Sequence, residues 1–145
     1  MEWIDIHAHL NMLEEGVEAA INNAKAVGVK KIITIGTQPE DHPIVLDIAR
    51  KYYPEVYCTL GVHPHDGGTY TEAAGKFIEE HVTEPCVVAV GEIGLDYYYD
   101  NSPRELQKGS LPRTARNRPP NQNAGGNSHP RCGRRHHRDF KRIQR

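Results

Sequence analysis

Two histidines lie one residue apart directly after the first apolar run of the chain. The run covers residues 3–6, and His7 and His9 follow it, with Asp5 inside it. In an extended segment alternate side chains point the same way, so both imidazoles are expected to face one side. Two imidazoles aimed together suit a divalent transition metal. The spacing alone also fits two ordinary surface histidines.

A carboxylate, Glu92, follows a second apolar run within the segment GEIGLDY. Parallel sheets carry catalytic groups at the carboxyl ends of their strands. A solvated loop acid or a helix cap is the alternative interpretation. Gly91 and Gly94 favour a tight turn that fixes the carboxylate. Asp96 is expected to bond a group behind the site or to cap the next turn.

Further histidines follow a third apolar run, in the segment GVHPH. His63 is a candidate for the same site. For His65 we predict hydrogen bonds to backbone groups at the rim of the sheet. His42 and His81 fall on predicted helices and are expected at the surface.

The elements that must position these residues alternate between two periodicities. Continuous apolar runs predict strands at residues 3–6, 31–35, 56–62 and 86–90. Apolar residues spaced three or four positions apart predict helices at residues 14–27, from residue 41 onwards and at residues 71–81. Asp41 and Thr71 are the predicted caps of the second and third helices. Strands without polar alternation belong to a parallel sheet covered by helices. The pattern does not separate a barrel from an open doubly wound sheet. It does bring the ends of strands one, three and four, with their His and Glu residues, to one rim.

Three motifs, IDIHAHL, GVHPHD and GEIGLDYYYD, resemble in order and spacing those of the TatD family of metal-dependent deoxyribonucleases, within the amidohydrolase-like (β/α)₈ barrels. The resemblance covers residues 1–108. It implies an α/β fold, the amino-terminal half of a TIM barrel with about four parallel strands.

The resemblance also implies the roles of the candidate residues. His7 and His9 would bind one divalent metal, Glu92 would bridge to a second as the catalytic carboxylate, and His63 would line the substrate pocket. The cofactors implied are two divalent ions of zinc, manganese or magnesium. The implied substrate is DNA, as single strands or 3′ ends.

Charge is distributed unevenly along the chain. Residues 1–108 hold 8 Lys and Arg against 18 Asp and Glu, a formal charge of −10, whereas residues 109–145 hold 10 against 1, a charge of +9. This second segment is rich in Arg, Pro, Asn and Gly, without helical or strand periodicity, and predicts an irregular basic tail. A complete barrel of this type needs about 250 residues, so later metal ligands are expected to be missing.

A shift of reading frame after Lys108 explains the change of composition. Reading the codons of residues 125–140 one base later permits VVIHTRDAEEDTTEIL, an apolar strand followed by a histidine, as expected of the next ligand-bearing strand. On this hypothesis no role passes to the histidines of the tail. The nucleotide sequence around codon 109 tests the hypothesis. Removal of one inserted base there should restore an open reading frame downstream.

The remaining composition narrows the cellular setting. Cys58, Cys86 and Cys132 form no CxxC pair, and the first two fall in apolar runs, which predicts buried free thiols and a reducing compartment. Neither a signal peptide nor a membrane-spanning run is expected, which predicts a cytoplasmic protein. The sequence leaves the oligomeric state open.

Three other functions compete with a nuclease. The chain could be an inactive truncated fragment, or a related amidohydrolase acting on amides or lactones. It could also bind nucleic acid through the tail, whose arginines would contact phosphates. The candidate arginines are Arg113, Arg116, Arg118, Arg131, Arg134, Arg135 and Arg138. Phe140 is the only aromatic residue of the tail, which gives base stacking little support.

Overall fold

The structure, a computed structural model, describes residues 2–117 and the backbone of residues 125–128. These residues form a parallel sheet whose strands alternate with helices. The strands are β1 (Trp3–Ala8), β2 (Val29–Ile35), β3 (Val56–Leu60), β4 (Val87–Gly94) and β5 (Gly125–Ser128), and the helices are α1 (Val17–Ala26), α2 (His42–Tyr52), α3 (Glu72–His81) and α4 (Arg104–Arg116). Short 3₁₀ turns cover Leu10–Met12 and Pro64–Thr69.

The strand order of the sheet is β1-β2-β3-β4-β5, and all neighbouring pairs are parallel. Right-handed crossovers between successive neighbours place every connecting helix on the same face of the sheet. A doubly wound sheet instead reverses its strand order to cover both faces. The order therefore resolves the alternative that the sequence left open: the sheet is wound in one direction, as in a barrel of parallel strands, and the prediction of a half-barrel is confirmed.

Apolar side chains of the strands and helices pack into two clusters. Leu46 of α2, Leu60 of β3 and Ile78 of α3 are at most 1% exposed and belong to the larger cluster. Ile21 of α1 and Ile32 of β2 belong to the smaller one. Each fully buried aliphatic side chain of this size contributes about 1.5–3 kcal/mol to stability. These clusters attach the helical layer to the sheet and fix the positions of the strand ends.

The two predicted helix caps differ in what their side chains do. Thr71 caps α3 as predicted, because its Oγ1 accepts a hydrogen bond from Ala74 N at 3.1 Å. Asp41 stands at the start of α2, but its carboxylate makes no capping bond. It accepts hydrogen bonds from Thr37 N and Thr37 Oγ1 instead. The prediction of an Asp41 cap is therefore wrong in detail: this side chain holds the loop after β2.

Helical structure continues past Lys108, where the sequence predicted an irregular tail. Helix α4 runs on to Arg116, and the fully buried part of its inward face is polar. Gln107, Ser110 and Thr114 are buried at helical spacing. Ser110 Oγ donates to Gln107 O at 3.1 Å, and Thr114 Oγ1 donates to Ser110 O at 3.0 Å. A search for apolar periodicity cannot detect such a face.

Strand β5 also lies in the segment for which no strand was predicted, and its backbone pairs with β4. The edge of β4 is therefore covered by β5. In the described part of the chain the free edges belong to β5 and to β1, where Trp3, Ile4 and Ile6 are 56%, 45% and 46% exposed. The predictions for Phe140 and for the arginines that follow Arg116 lie outside the described residues.

The predicted thiols are buried and free. Cys58 and Cys86 form no disulfide, and burial raises the pKa of both thiols. Cys132 lies outside the described residues. Among the helices of the described segments, none combines the length and the apolar character needed to cross a membrane.

Candidate metal centre

The structure brings His7, His9 and Glu92 together at the carboxyl ends of β1 and β4. One ring nitrogen of each histidine and one oxygen of the carboxylate lie within 4.8 Å of one another. His7 Nε2 is 3.8 Å from Glu92 Oε2, and the two imidazole centroids are 5.3 Å apart. These are the three residues that the resemblance implied as metal ligands.

Local contacts fix the chain on both sides of the two histidines. Asp5 Oδ1 accepts a hydrogen bond from His7 N at 3.0 Å. Immediately after His9, the side chain of Leu10 is 3% exposed, and Leu10 N donates to Thr34 Oγ1 of β2 at 3.2 Å. Strand alternation and these anchors together turn both rings towards the same side of the sheet.

Glu92 lies within β4, whereas the sequence predicted that the strand would end at Gly91. The register between β4 and β5 shifts between Val90 and Ile93, so that more residues of β4 than of β5 fill this interval. Such a bulge re-aims a side chain without ending the strand. Glu92 N donates to Gly36 O at 3.0 Å, and the Glu92 side chain is only 16% exposed. The carboxylate is thus held, mostly buried, at the carboxyl ends of the strands.

The backbone of Gly61 passes unusually close to the segment that carries this carboxylate. A Cβ atom on Gly61 would lie 2.5 Å from Gly91 C and 2.8 Å from both Glu92 N and Glu92 O. Because backbone atoms cannot turn aside as the end of a side chain can, only glycine fits this position. The spacing of β3 and β4 at the site depends on it.

His42 contacts Gly61 through the Gly61 carbonyl and is a supporting residue that the sequence analysis missed. The prediction that it lies at the surface is wrong, because the side chain at the start of α2 is 1% exposed. His42 Nε2 lies 2.8 Å from Gly61 O, the geometry of a ring N–H donating to a carbonyl. Burial lowers the pKa of His42 below its ordinary value, against the opposing effects of the Gly61 carbonyl and of Asp41.

Lowered pH is therefore expected to destabilise the fold through His42. The unfolded chain binds a proton near pH 6.5, whereas the buried ring binds it only at lower pH. The free energy of unfolding should fall as the pH drops below about 6.5, by at most about 1.4 kcal/mol per pH unit for one proton. Urea unfolding at several values between pH 7.5 and 5.5 measures this slope. His42→Gln should flatten it, and an unchanged slope in that variant would reject the assignment.

His63 lies beside the other oxygen of the Glu92 carboxylate. Its Nε2 is 3.8 Å from Glu92 Oε1, and burial lowers the pKa of His63, although the charge of Glu92 opposes this. His65 N donates to His63 Nδ1 at 3.1 Å. Since Nδ1 accepts a hydrogen bond, the proton of the neutral ring resides on Nε2. His63 therefore presents an N–H donor to the space beside Glu92.

The side chain of His65 is paired with Asp96, which corrects the prediction that it bonds backbone groups. His65 Nε2 lies 2.7 Å from Asp96 Oδ2, and Asn101 Nδ2 donates to His65 Nδ1 at 3.2 Å. Asp96 also accepts from Tyr98 N at 2.8 Å. Asp96 therefore has both predicted roles: it bonds a group behind the site, the ring of His65, and it caps the next turn.

The environment keeps Asp96 ionised. Removal of its carboxylate from water works towards a higher pKa, but hydrogen bonds from Tyr98 N, Tyr99 N and His65 outweigh this effect and hold the pKa below its ordinary value. The backbone N–H of Asp96 donates to Gln107 Oε1 at 2.7 Å. This chain of contacts connects α4 to the ring of His65, and from there to His63.

The donor set fits a divalent transition metal. Two imidazoles and a carboxylate suit zinc or manganese, whereas magnesium prefers oxygen ligands alone. His9 Nδ1 is buried and has no hydrogen-bond partner among the described residues, as expected where a further partner belongs. His7 remains 54% exposed, which leaves an approach from solvent to the same point.

Comparison with known proteins gives matches over the same part of the chain. The family model for TatD-related DNase matches residues 4–116. The uncharacterized metal-dependent hydrolase YabD of Bacillus subtilis is 36% identical over 106 residues, covering 72% of this chain and 41% of that protein. The 3′-5′ ssDNA/RNA exonuclease TatD of Pectobacterium carotovorum is 31% identical over 105 residues, covering 72% and 40%.

Solved structures give the same result for the fold. The TatD homologue YjjV of Escherichia coli superposes with a TM-score of 0.70 at 31% identity, over 79% of this chain and 46% of that one. A TatD-family hydrolase from Entamoeba histolytica superposes with a TM-score of 0.65 at 26% identity, over 79% and 45%. The chain spans about two fifths of the length of the curated relatives it matches. From the extent of the family match and the shared fold, the chain belongs to the TatD-related DNase family.

Proposed function

We propose that this chain is the amino-terminal part of a divalent-metal-dependent phosphodiesterase that hydrolyses single-stranded DNA. The observation that carries the proposal is the convergence of His7, His9 and Glu92, from two separate strands, within 4.8 Å. The match to a TatD exonuclease of single-stranded DNA and RNA supports the choice of substrate. The relative from Bacillus subtilis is likewise named a metal-dependent hydrolase.

His7, His9 and Glu92 would hold the cation. When bound, a divalent ion of this kind polarises a phosphoryl oxygen and lowers the pKa of water towards neutrality. Glu92 supplies the negative charge of the ligand set, and its second oxygen, Oε1, faces His63. By resemblance to the family, Glu92 would also bridge to a second cation.

His63 would bind the substrate rather than the metal. Its neutral ring directs an N–H group towards the space beside Glu92, and such a donor suits a phosphate oxygen. The pairing of His65 with Asp96 holds the neighbouring ring in place, so that the donor is fixed before substrate binds. A fixed donor loses little conformational entropy when the substrate arrives.

Three ligands are expected to support slow turnover in this chain. The purified protein should release nucleotides from single-stranded DNA when Mn²⁺ or Zn²⁺ is added, and EDTA should stop the release. His7→Ala should remove this activity, whereas His81→Ala, on the outer helix α3, should retain it. Release that persists in His7→Ala would exclude the site, and absence of release from metal-loaded protein would favour the inactive fragment.

A further inference from the structure

Four aromatic rings form a continuous series from the metal centre to the protein surface. His63 is next to Glu92, and its ring centroid lies 4.5 Å from that of His65. The series continues from His65 to Tyr99 at 5.6 Å and from Tyr99 to Tyr98 at 4.7 Å. Each neighbouring pair meets edge to face, at 89°, 81° and 83°.

The outer two rings of this series face solvent. Tyr98 and Tyr99 are 62% and 61% exposed. Tyrosine usually contributes to a fold by burying a large apolar ring, and neither ring does so here. Two adjacent exposed aromatic side chains beside a candidate site are therefore available for a ligand.

The turn that carries these rings is rigid. The carboxylate of Asp96 is 1% exposed and accepts hydrogen bonds from Tyr98 N at 2.8 Å and from Tyr99 N at 3.3 Å. Gln107 of α4 in turn accepts from Asp96 N at 2.7 Å. Because the backbone is fixed in this way, a ligand that stacks on the rings immobilises few additional rotatable bonds of the protein.

The acidic groups of the turn are compensated by nearby donors. Arg104 makes two hydrogen bonds to the Asp100 carboxylate, at 2.8 and 2.9 Å, and its guanidinium lies 4.9 Å from the centroid of the Tyr97 ring. Asp96 faces the backbone N–H groups and His65. A polyanion that approaches the two exposed tyrosines thus meets paired carboxylates rather than free ones.

We propose that Tyr98 and Tyr99 form a stacking surface for the nucleobases of single-stranded nucleic acid. The proposal rests on the proposed phosphodiesterase function, because the ring series begins at Glu92 and His63, where the phosphodiester would lie. Every base offers a π-face, so an aromatic surface binds single strands with little sequence preference. Inside a duplex both faces of each base pair are covered by the neighbouring base pairs, which gives the surface a preference for single strands.

Equilibrium binding to two strands of equal length tests the surface. The probes are a fluorescein-labelled phosphorothioate oligothymidylate, which resists hydrolysis, and the same strand with abasic sites in place of thymidines, both with Zn²⁺. The chain should bind the thymidylate about 5- to 100-fold more tightly, the range for a stacked base. Tyr98→Ala and Tyr99→Ala should each lose most of this difference, and the phenylalanine variants should keep it.

Tyr53→Ala is the matched control, because Tyr53 is 48% exposed at the far end of α2 and should not affect either strand. An equal loss of affinity for both strands in the tyrosine variants would overturn the proposal. So would equal affinity of the unaltered chain for both strands. The tyrosine ring signals in NMR spectra of the unaltered chain give a readout without substitution: they should shift with the thymidylate and not with the abasic strand.

Hydrolysis of an unmodified abasic strand separates this proposal from the proposed function, since it needs the metal centre but no stacked base. Hydrolysis without any effect of the tyrosines on binding rejects the stacking surface and leaves the phosphodiesterase. Absence of hydrolysis, with binding that depends on Tyr98 and Tyr99, rejects the phosphodiesterase and supports the surface.

Discussion

Replacement of Glu92 by glutamine is expected to weaken the binding of one divalent cation by at least about 100-fold. Loss of a group that only orients a ligand typically costs 10- to 100-fold in metal affinity, and Glu92 is itself the charged member of the proposed ligand set. The glutamine side chain has nearly the same shape, so the 16% exposed position remains filled. Calorimetric titration of the metal-free protein with Mn²⁺ or Zn²⁺ measures the change.

Glu105→Gln is the control for the loss of one negative charge. Glu105 lies on α4 and pairs with Lys108 at 2.7 Å, with its side chain 83% exposed. This variant should bind the cation as the unaltered chain does. If both variants weaken binding equally, the effect is one of net charge, and Glu92 is not a ligand.

Gly61→Ala is expected to destabilise the fold and to displace the metal ligand at the same time. The added Cβ would meet Gly91 C at 2.5 Å and Glu92 N at 2.8 Å. One of these backbones must move, at a cost of about 1–3 kcal/mol for overpacking. Urea unfolding should show this loss, and the same protein should bind Mn²⁺ more weakly because Glu92 has shifted.

Gly109→Ala provides the control for adding a methyl group to a glycine. Nothing lies within 4 Å of a Cβ at Gly109 in α4. The substitution should stabilise the chain by about 0.5–1 kcal/mol, since alanine loses less backbone entropy in a helix. A Gly61→Ala protein as stable as the unaltered chain would show that the approach of β3 to β4 is looser than described.

The sequence predicted the strands and the residues that meet at their ends because both have strong local signals. Residues 32–35 are β-branched throughout and all but Thr34 are apolar, which favours a strand buried on both faces. His7 and His9 follow such a run directly, and strand alternation brings them to one side. The site residues at the strand ends could therefore be predicted without knowledge of the barrel.

The supporting residues could not be predicted, because their partners are distant in the sequence. His65 and Asp96 are 31 positions apart, and nothing in either segment indicates that the two side chains meet. His42 occupies the first position of a helix, where a surface residue is the usual expectation. Its burial depends on the carbonyl of Gly61, 19 positions away.

The boundary at Lys108 was predicted from composition. Composition does not distinguish polar residues that face solvent from polar residues that are buried on one face of a helix. Gln107, Ser110 and Thr114 satisfy their hydrogen bonds inside the fold, so α4 crosses the predicted boundary. The family match likewise reaches residue 116. A shift of reading frame stays a prediction, and the nucleotide sequence around codon 109 remains its test.

Anomalous X-ray scattering from crystals grown with Mn²⁺ or Zn²⁺ tests most directly whether one cation is shared by His7, His9 and Glu92. The account predicts an anomalous peak at the mouth of the sheet, within about 2.0–2.3 Å of a ring nitrogen of each histidine and of a Glu92 oxygen. A peak that touches other residues, or the absence of a peak between these three side chains in metal-saturated crystals, would contradict it.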